Sequence, residues 1–235
     1  MYPVRSGDRS WLFDLVCEDE RRRVAALARH RESLEAAGAA LDRLNEVWAR
    51  AGSWVPEQAD LSAEMDQARA AVDWHLDQTL CGPVAAFVGL QPSGSVTHVL
   101  YAPFAVLFLR WEAWYPVEWR EPDSWWRSPW TTKAAVLARF AAEGVPDGVL
   151  TDLTELVAAA VRRPYRCKDW LYAGLVRHIP DAVLRRTLAP MVDAVDPLTR
   201  FRVQFLADLS DDPGRRVTRR SWRRWLATGQ NDGLS

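Results

Sequence analysis

The sequence predicts an all-α protein in three parts: an N-terminal antiparallel helical hairpin, a buried apolar and tryptophan-rich middle, and a C-terminal array of helix pairs. Three observations carry this. Apolar residues recur at helical spacing over the first 81 residues. A long charge-free run follows, interrupted too often to be one span. Beyond residue 131, prolines return at intervals of 18, 16, 17 and 16 residues. The parts so defined are residues 1–81, 82–130 and 131–235.

The first helix is expected over residues 18–50. Leu27, Leu34, Leu41 and Trp48 recur every seven residues, with Val24, Ala37 and Leu44 at the adjacent steps, giving one apolar seam. The acids Glu18, Asp19 and Glu20 precede it and complement the positive end of the helix dipole. The segment AGSWVP breaks the helix, and Pro56 suits the first turn of the next. There Leu61, Met65, Ala68, Val72, Leu76 and Leu80 step by three or four. Two such seams bury each other most simply as an antiparallel pair.

From Gln78 to Leu109 there is no Asp, Glu, Lys or Arg, a run of 32 residues. Gly82-Pro83 and the segment QPSGS at 91–95 cut it into PVAAFVGL and VTHVLYAPFAVLFL, of 8 and 14 residues. Both fall short of the ~20 apolar residues that span a bilayer, and both suit helices buried on all sides. A strand over residues 96–101 is the rival local reading. Residues 110–130 then hold six tryptophans, Tyr115, and prolines at 116, 122 and 129. These prolines exclude one continuous helix, so a helix ending near Tyr115 and an irregular connection are expected.

In the last part, TTKAAVLARFAAEG and DGVLTDLTELVAAAVRR read as helices between prolines 146, 164, 180, 197 and 213. Gly144 stands where a C-cap would, and Asp147, Asp181 and Asp196 where N-caps would. One helix and its turn every seventeen residues or so is the period of stacked helix pairs. Residues 196–217, DPLTRFRVQFLADLSDDPGRRV, resemble a HEAT-type repeat: Asp-Pro, an Arg-containing helix start, an apolar helix, then Asp-Asp-Pro and the next helix. The resemblance extends over residues 147–226, clearest in that one unit. It implies a HEAT-like α-α array, whose members mostly serve as binding scaffolds. A small subgroup of that class excises alkylated DNA bases and also uses tryptophans. Here Ser124-Trp125-Trp126 is followed by Arg127, not by an acid, so no catalytic aspartate is placed.

Composition narrows the functional classes. Apolar residues make up 49% and charged residues 26%, the balance of a globular chain rather than a disordered one. A net charge of −1 argues against coating nucleic acid with the whole surface. Cys17, Cys81 and Cys167 are odd in number and form no CxxC pair, which points to a reducing compartment. The N-terminus shows no apolar signal core, so a cytoplasmic location is expected. Lys133 and Lys168 are the sole lysines, and the arginine and alanine richness suggests a GC-rich bacterial genome. The spacing of His30, His75, His98 and His178 suggests no metal site, and no motif calls for a cofactor. Of the four, His98 sits inside the uncharged run.

Two constellations stand out. Trp111, Trp114, Tyr115, Trp119, Trp125, Trp126 and Trp130, with Tyr101, could form aromatic walls, and Glu112 and Glu118 could anchor a small planar or cationic ligand. The competing reading is that these rings clamp the hairpin onto the array. The second is the run Arg215, Arg216, Arg219, Arg220, Arg223 and Arg224, with no acid among them. On a helix these arginines occupy about half the circumference, opposite Trp222, Trp225 and Leu226. They could neutralise phosphates or grip an acidic partner; alternatively they are the solvated face of a docked terminal helix.

The leading expectation is therefore a binding or adaptor protein. A concave face bearing Arg162, Arg166, Lys168, Arg177 and Arg200 would meet a protein or other acidic partner, or a second copy. The first alternative is an enzyme or ligand carrier with an aromatic pocket between the halves, lined also by Phe104 and Phe108. The second is nucleic-acid binding through the arginine run, with base chemistry as in the DNA-repair HEAT subgroup. No membrane partner is expected.

Overall fold

A computed structural model describes residues 8–52, 58–89, 96–121 and 128–228. Among them every regular element is helical, so the all-α class holds. The chain divides into two compact units, Met1–Ala86 and Phe87–Ser235.

In the first unit a 3-10 turn, Ser10–Val16, precedes α1, Glu20–Ala51, and α2, Ala59–Asp77. Asp19 caps α1, its carboxylate accepting from the amides of Arg21 and Arg22. This satisfies two of the donors that a helix start leaves open. Gly52, at φ 66°, closes the far end in the left-handed conformation that glycine adopts without a Cβ clash. The shared core joins Ala37, Leu44 and Val47 of α1 to Met65, Ala68, Val72 and Leu76 of α2. The observed seam runs through Leu27, His30, Ala37, Leu44 and Val47, while Val24 and Trp48 are exposed and Leu34 and Leu41 half-buried. A strict seven-residue series drifts about 20° per heptad around a straight helix, so this one starts in the core at Leu27 and has left it by Trp48. Pro56 lies outside the described residues.

At the end of α2, Thr79 donates its hydroxyl to the Leu76 carbonyl (2.7 Å) and accepts from the Cys81 amide (3.0 Å). The chain turns directly into α3, Cys81–Val88. A Cβ at Gly82 would stand 2.8 Å from the Asp77 Cα, so this turn requires glycine.

The second unit holds α4, Val96–Trp114, and α5, Pro116–Arg120; then α6, Pro129–Glu143, and α7, Asp147–Arg162. A 3-10 stretch, Asp169–His178, follows, then α8, Asp181–Leu188, with a 3-10 turn at Ala189–Met191. The last two helices are α9, Pro197–Asp211, and α10, Arg219–Thr228. Residues 96–101 are thus helical, not a strand. Burial on all sides does not hold for either segment: Ala85 of α3 is exposed, and in α4 the buried part runs from Ala102 to Glu112, with Val96 and Val99 81% and 62% exposed before it and Trp114 exposed after it. Pro103 sits inside the helix, where it frees the Val99 carbonyl in this exposed first part. No described helix is long and apolar enough to cross a membrane.

Phe87, His98 and Phe140 tie α3, α4 and α6: the imidazole stacks on Phe87 at 5.1 Å and meets Phe140 edge-on at 6.0 Å. Its Nε2 lies 3.1 Å from the Gly144 carbonyl. Gly144 does end α6, its amide donating to Phe140. Of the three predicted N-caps, only Asp196 accepts amide bonds, from Leu198 and Thr199. Asp147 and Asp181 stand one residue later, inside their helices, because Pro146 and Pro180 occupy the cap positions. There the carboxylates act on the helix dipole instead. The five spaced prolines do fall at element ends, but the elements between them range from 3 to 16 residues, and two are 3-10.

Candidate functional site

The arginine run becomes α10 and the turn before it. Thr218 and Ser221 start the helix reciprocally: each amide donates to the other's hydroxyl at 3.0 Å. This is a capping box with serine in the place of the usual acid or amide. Trp222 and Trp225 then dock the helix onto α9, their rings 5.1 and 5.6 Å from Phe205, and the Trp225 indole donates to the Phe201 carbonyl at 2.8 Å. With the tryptophans held, Arg219, Arg220, Arg223 and Arg224 cover about 140° of the other side.

Arg216, Arg219, Arg220 and Arg223 are exposed, and no described acid pairs with them. The nearby acids of α9 are already engaged. Asp208 binds Arg215, and Asp211 binds Arg185 at 2.5 Å. Arg215 is thus held within the fold while its neighbours face solvent, and Arg224 is half-buried.

Beside α10 runs the connection from α7 to the 3-10 stretch. Tyr165 of this loop and Trp222 of α10 line the same small cavity, together with Asp169, Tyr172 and Arg202. Burial and then the Asp169 carboxylate raise the Tyr165 pKa, while Arg219 and Arg223 pull it down, which places both guanidinium groups within electrostatic reach of the phenol. Tyr165 is 43% exposed. Cys167 is exposed as well, and Lys168 sits at φ 69°, a left-handed conformation that L side chains rarely take.

What holds the loop in that shape is a buried ion cluster. Lys133 of α6, fully buried, lies 2.6 Å from Asp169 and 3.2 Å from Glu112 of α4. Arg163 reaches both carboxylates at 2.8 Å, and Arg166 lies 3.2 Å from Glu112. The Arg166 guanidinium also donates to the Glu112 carbonyl, and its amide to Asp169. Three cations thus share two carboxylates. Burial works to lower the Arg163 pKa, but Asp169 and Glu112 outweigh it and the net direction is upward. Burial, reinforced by Glu112, pushes the Tyr172 phenol far up. From α9, Arg202 donates to the Val161 and Arg163 carbonyls at 3.0 and 2.7 Å, closing the end of α7.

The described members of the aromatic constellation are divided between core and surface. Trp111 and Trp119 are buried, and Trp119 packs on Phe108 (5.3 Å) and edge-on to Trp130 (4.8 Å). Trp130 stands 5.6 Å from the Lys133 ammonium. Trp114 is exposed, with Arg110 over its ring. Tyr101 neighbours Phe104; Tyr115 and Glu118 are half-buried. Glu112 is committed to the ion cluster. Trp125 and Trp126 lie outside the described residues. Among the predicted basic positions, Arg166 is spent on Glu112 and Arg162 on the Met191 sulfur, whereas Arg177 and Arg200 are exposed.

The sequence matches no protein-family model and no curated protein, and no solved structure matches the fold. Function is therefore read from this geometry. Sequence reasoning singled out the arginine run and did not single out Tyr165 or the Lys133 cluster. The one signal available was that a lysine in so arginine-rich a chain falls on an otherwise apolar helix face, with Ala134, Val136, Leu137 and Phe140 nearby.

Proposed function

We propose that this chain is a binding or adaptor protein, its C-terminal helices a HEAT-like array, that recognises an acidic partner through the face centred on α10. The observation that carries this is the contrast within one arginine run. Arg215 is paired with Asp208, while Arg216, Arg219, Arg220 and Arg223 are in solvent with no described acid partner. A docked terminal helix needs its two tryptophans and accounts for them. It does not need four adjacent exposed cations, whose mutual repulsion destabilises the free protein. An anionic partner relieves that repulsion, and guanidinium forks suit carboxylates and phosphates alike.

The test is fluorescence anisotropy with two labelled polyanions, a glutamate-rich peptide and an oligonucleotide. The full chain is compared with the variant carrying Arg→Gln at 216, 219, 220 and 223. At least one probe should bind, weaken as salt rises, and lose at least ten-fold in the variant, as charge-driven association does. Binding of neither probe at low salt, or binding indifferent to the variant, would overturn the reading.

A further inference from the structure

Resting on that reading, we propose that the partner of the α10 face is a single-stranded nucleic acid, its phosphates lying along Arg216, Arg219, Arg220 and Arg223 and a base stacking on Tyr165. The two halves of this site come from different elements and meet around one structural feature. Tyr165 and Trp222 line the same cavity, and on α10 the charges of Arg219 and Arg223, at the edge of the arginine face next to Trp222, reach the Tyr165 phenol. The ring is thus set beside the cationic row, not elsewhere on the unit. It is held there by loop anchoring on both sides: Arg163 and Arg166 before and after it bind the buried Glu112, and Asp169 caps the Arg166 amide. A half-exposed aromatic on a loop anchored by buried ion pairs is a pre-ordered platform, and ordering lost before binding is not lost again on binding.

The chemistry separates the candidate polyanions. An acidic peptide needs cations and has no use for the exposed ring. A duplex offers phosphates, but its base faces are covered by stacking. A single strand offers both phosphates and free base faces, the combination that cationic grooves with aromatic platforms recognise. Asp169, the acid nearest the tyrosine in sequence, is neutralised by Lys133 and Arg163 and does not repel a phosphate as a free carboxylate would. Lys168, three residues beyond Tyr165 and without a described acid partner, extends the positive charge on the loop side.

Titration of the full chain with a short labelled oligothymidylate tests this. Four phosphate contacts on a single strand give a log–log salt slope near −3, so affinity should fall about fifty-fold between 50 and 200 mM salt. Each single Arg→Gln change should flatten the slope by about 0.7. Tyr165→Ala should weaken binding about ten-fold while leaving the slope alone, and Tyr165→Phe should restore it, because stacking needs the ring and not the hydroxyl. Tyr165 and the four arginines are exposed, and unchanged melting of each variant confirms an intact fold. If Tyr165→Ala has no effect, or a duplex of equal length binds as tightly, the single-strand assignment is overturned. It is equally overturned if the glutamate-rich peptide binds and the oligonucleotide does not, although arginine-dependent binding then leaves the α10 reading standing. Failure of every polyanion overturns both.

Discussion

Glu112 and Lys133 illustrate how much a side chain's role depends on what the fold brings to it. In sequence Glu112 lies among tryptophans and suggests a ligand anchor; in space it is fully buried and faces Lys133, Arg163 and Arg166. Removing a charge from such a cluster costs according to the balance left behind. Glu112→Gln leaves three cations around Asp169 alone and should destabilise the second unit by about 3–5 kcal/mol, as breaking a buried pair does. Lys133→Met leaves two arginines facing two carboxylates, a balanced set, and should cost roughly half as much. Thermal melting of the two variants checks this ordering. Equal losses, or a larger loss for Lys133→Met, would show that packing rather than charge balance governs the cluster. Local sequence could not reveal these partnerships, because Glu112, Lys133 and Asp169 meet only after three elements have packed.

Among the elements, α1 and α2 were the most legible and still hid one feature. Their apolar steps announce two amphipathic helices, and the core of Ala37, Leu44, Met65 and Val72 follows from them. His30 does not belong to the predicted series, yet it fills the same seam, 1% exposed. Burial first, then Arg31, lowers its pKa to about 4. Above pH 6.5 the imidazole is neutral whether the chain is folded or not, and it adds no pH dependence. As pH falls below 6.5 the unfolded chain takes up a proton that the folded one refuses, so stability drops until about pH 4. The full effect is about 3 kcal/mol. Denaturant unfolding at pH 7 and pH 4 should show this loss in the wild type, and a correspondingly smaller one in His30→Leu. An identical pH response in both would refute it. In the second unit, helices α6 and α7 were readable from pattern, and so was the proline punctuation. The Asp147 and Asp181 caps were not, because a proline directly before each acid takes the cap position itself. The left-handed Lys168 was equally hidden, since its conformation is imposed by bonds from Arg166 and Asp169 rather than by its own preference.

For the whole molecule, a net charge of −1 conceals an uneven distribution. Acids and arginines neutralise each other at Arg110–Asp152, Arg185–Asp211 and in the buried cluster, while the α10 face retains its charge. Average composition argued against a wholly basic surface and was silent about a local one. The direct measurement is hydrogen–deuterium exchange of the full chain, free and with a saturating polyanion that binds it. Recognition through the α10 face predicts slowed exchange over residues 164–168 and 216–224, with α1 and α2 unchanged. Protection confined to α1 and α2, with the α10 face exchanging as in the free protein, would contradict it.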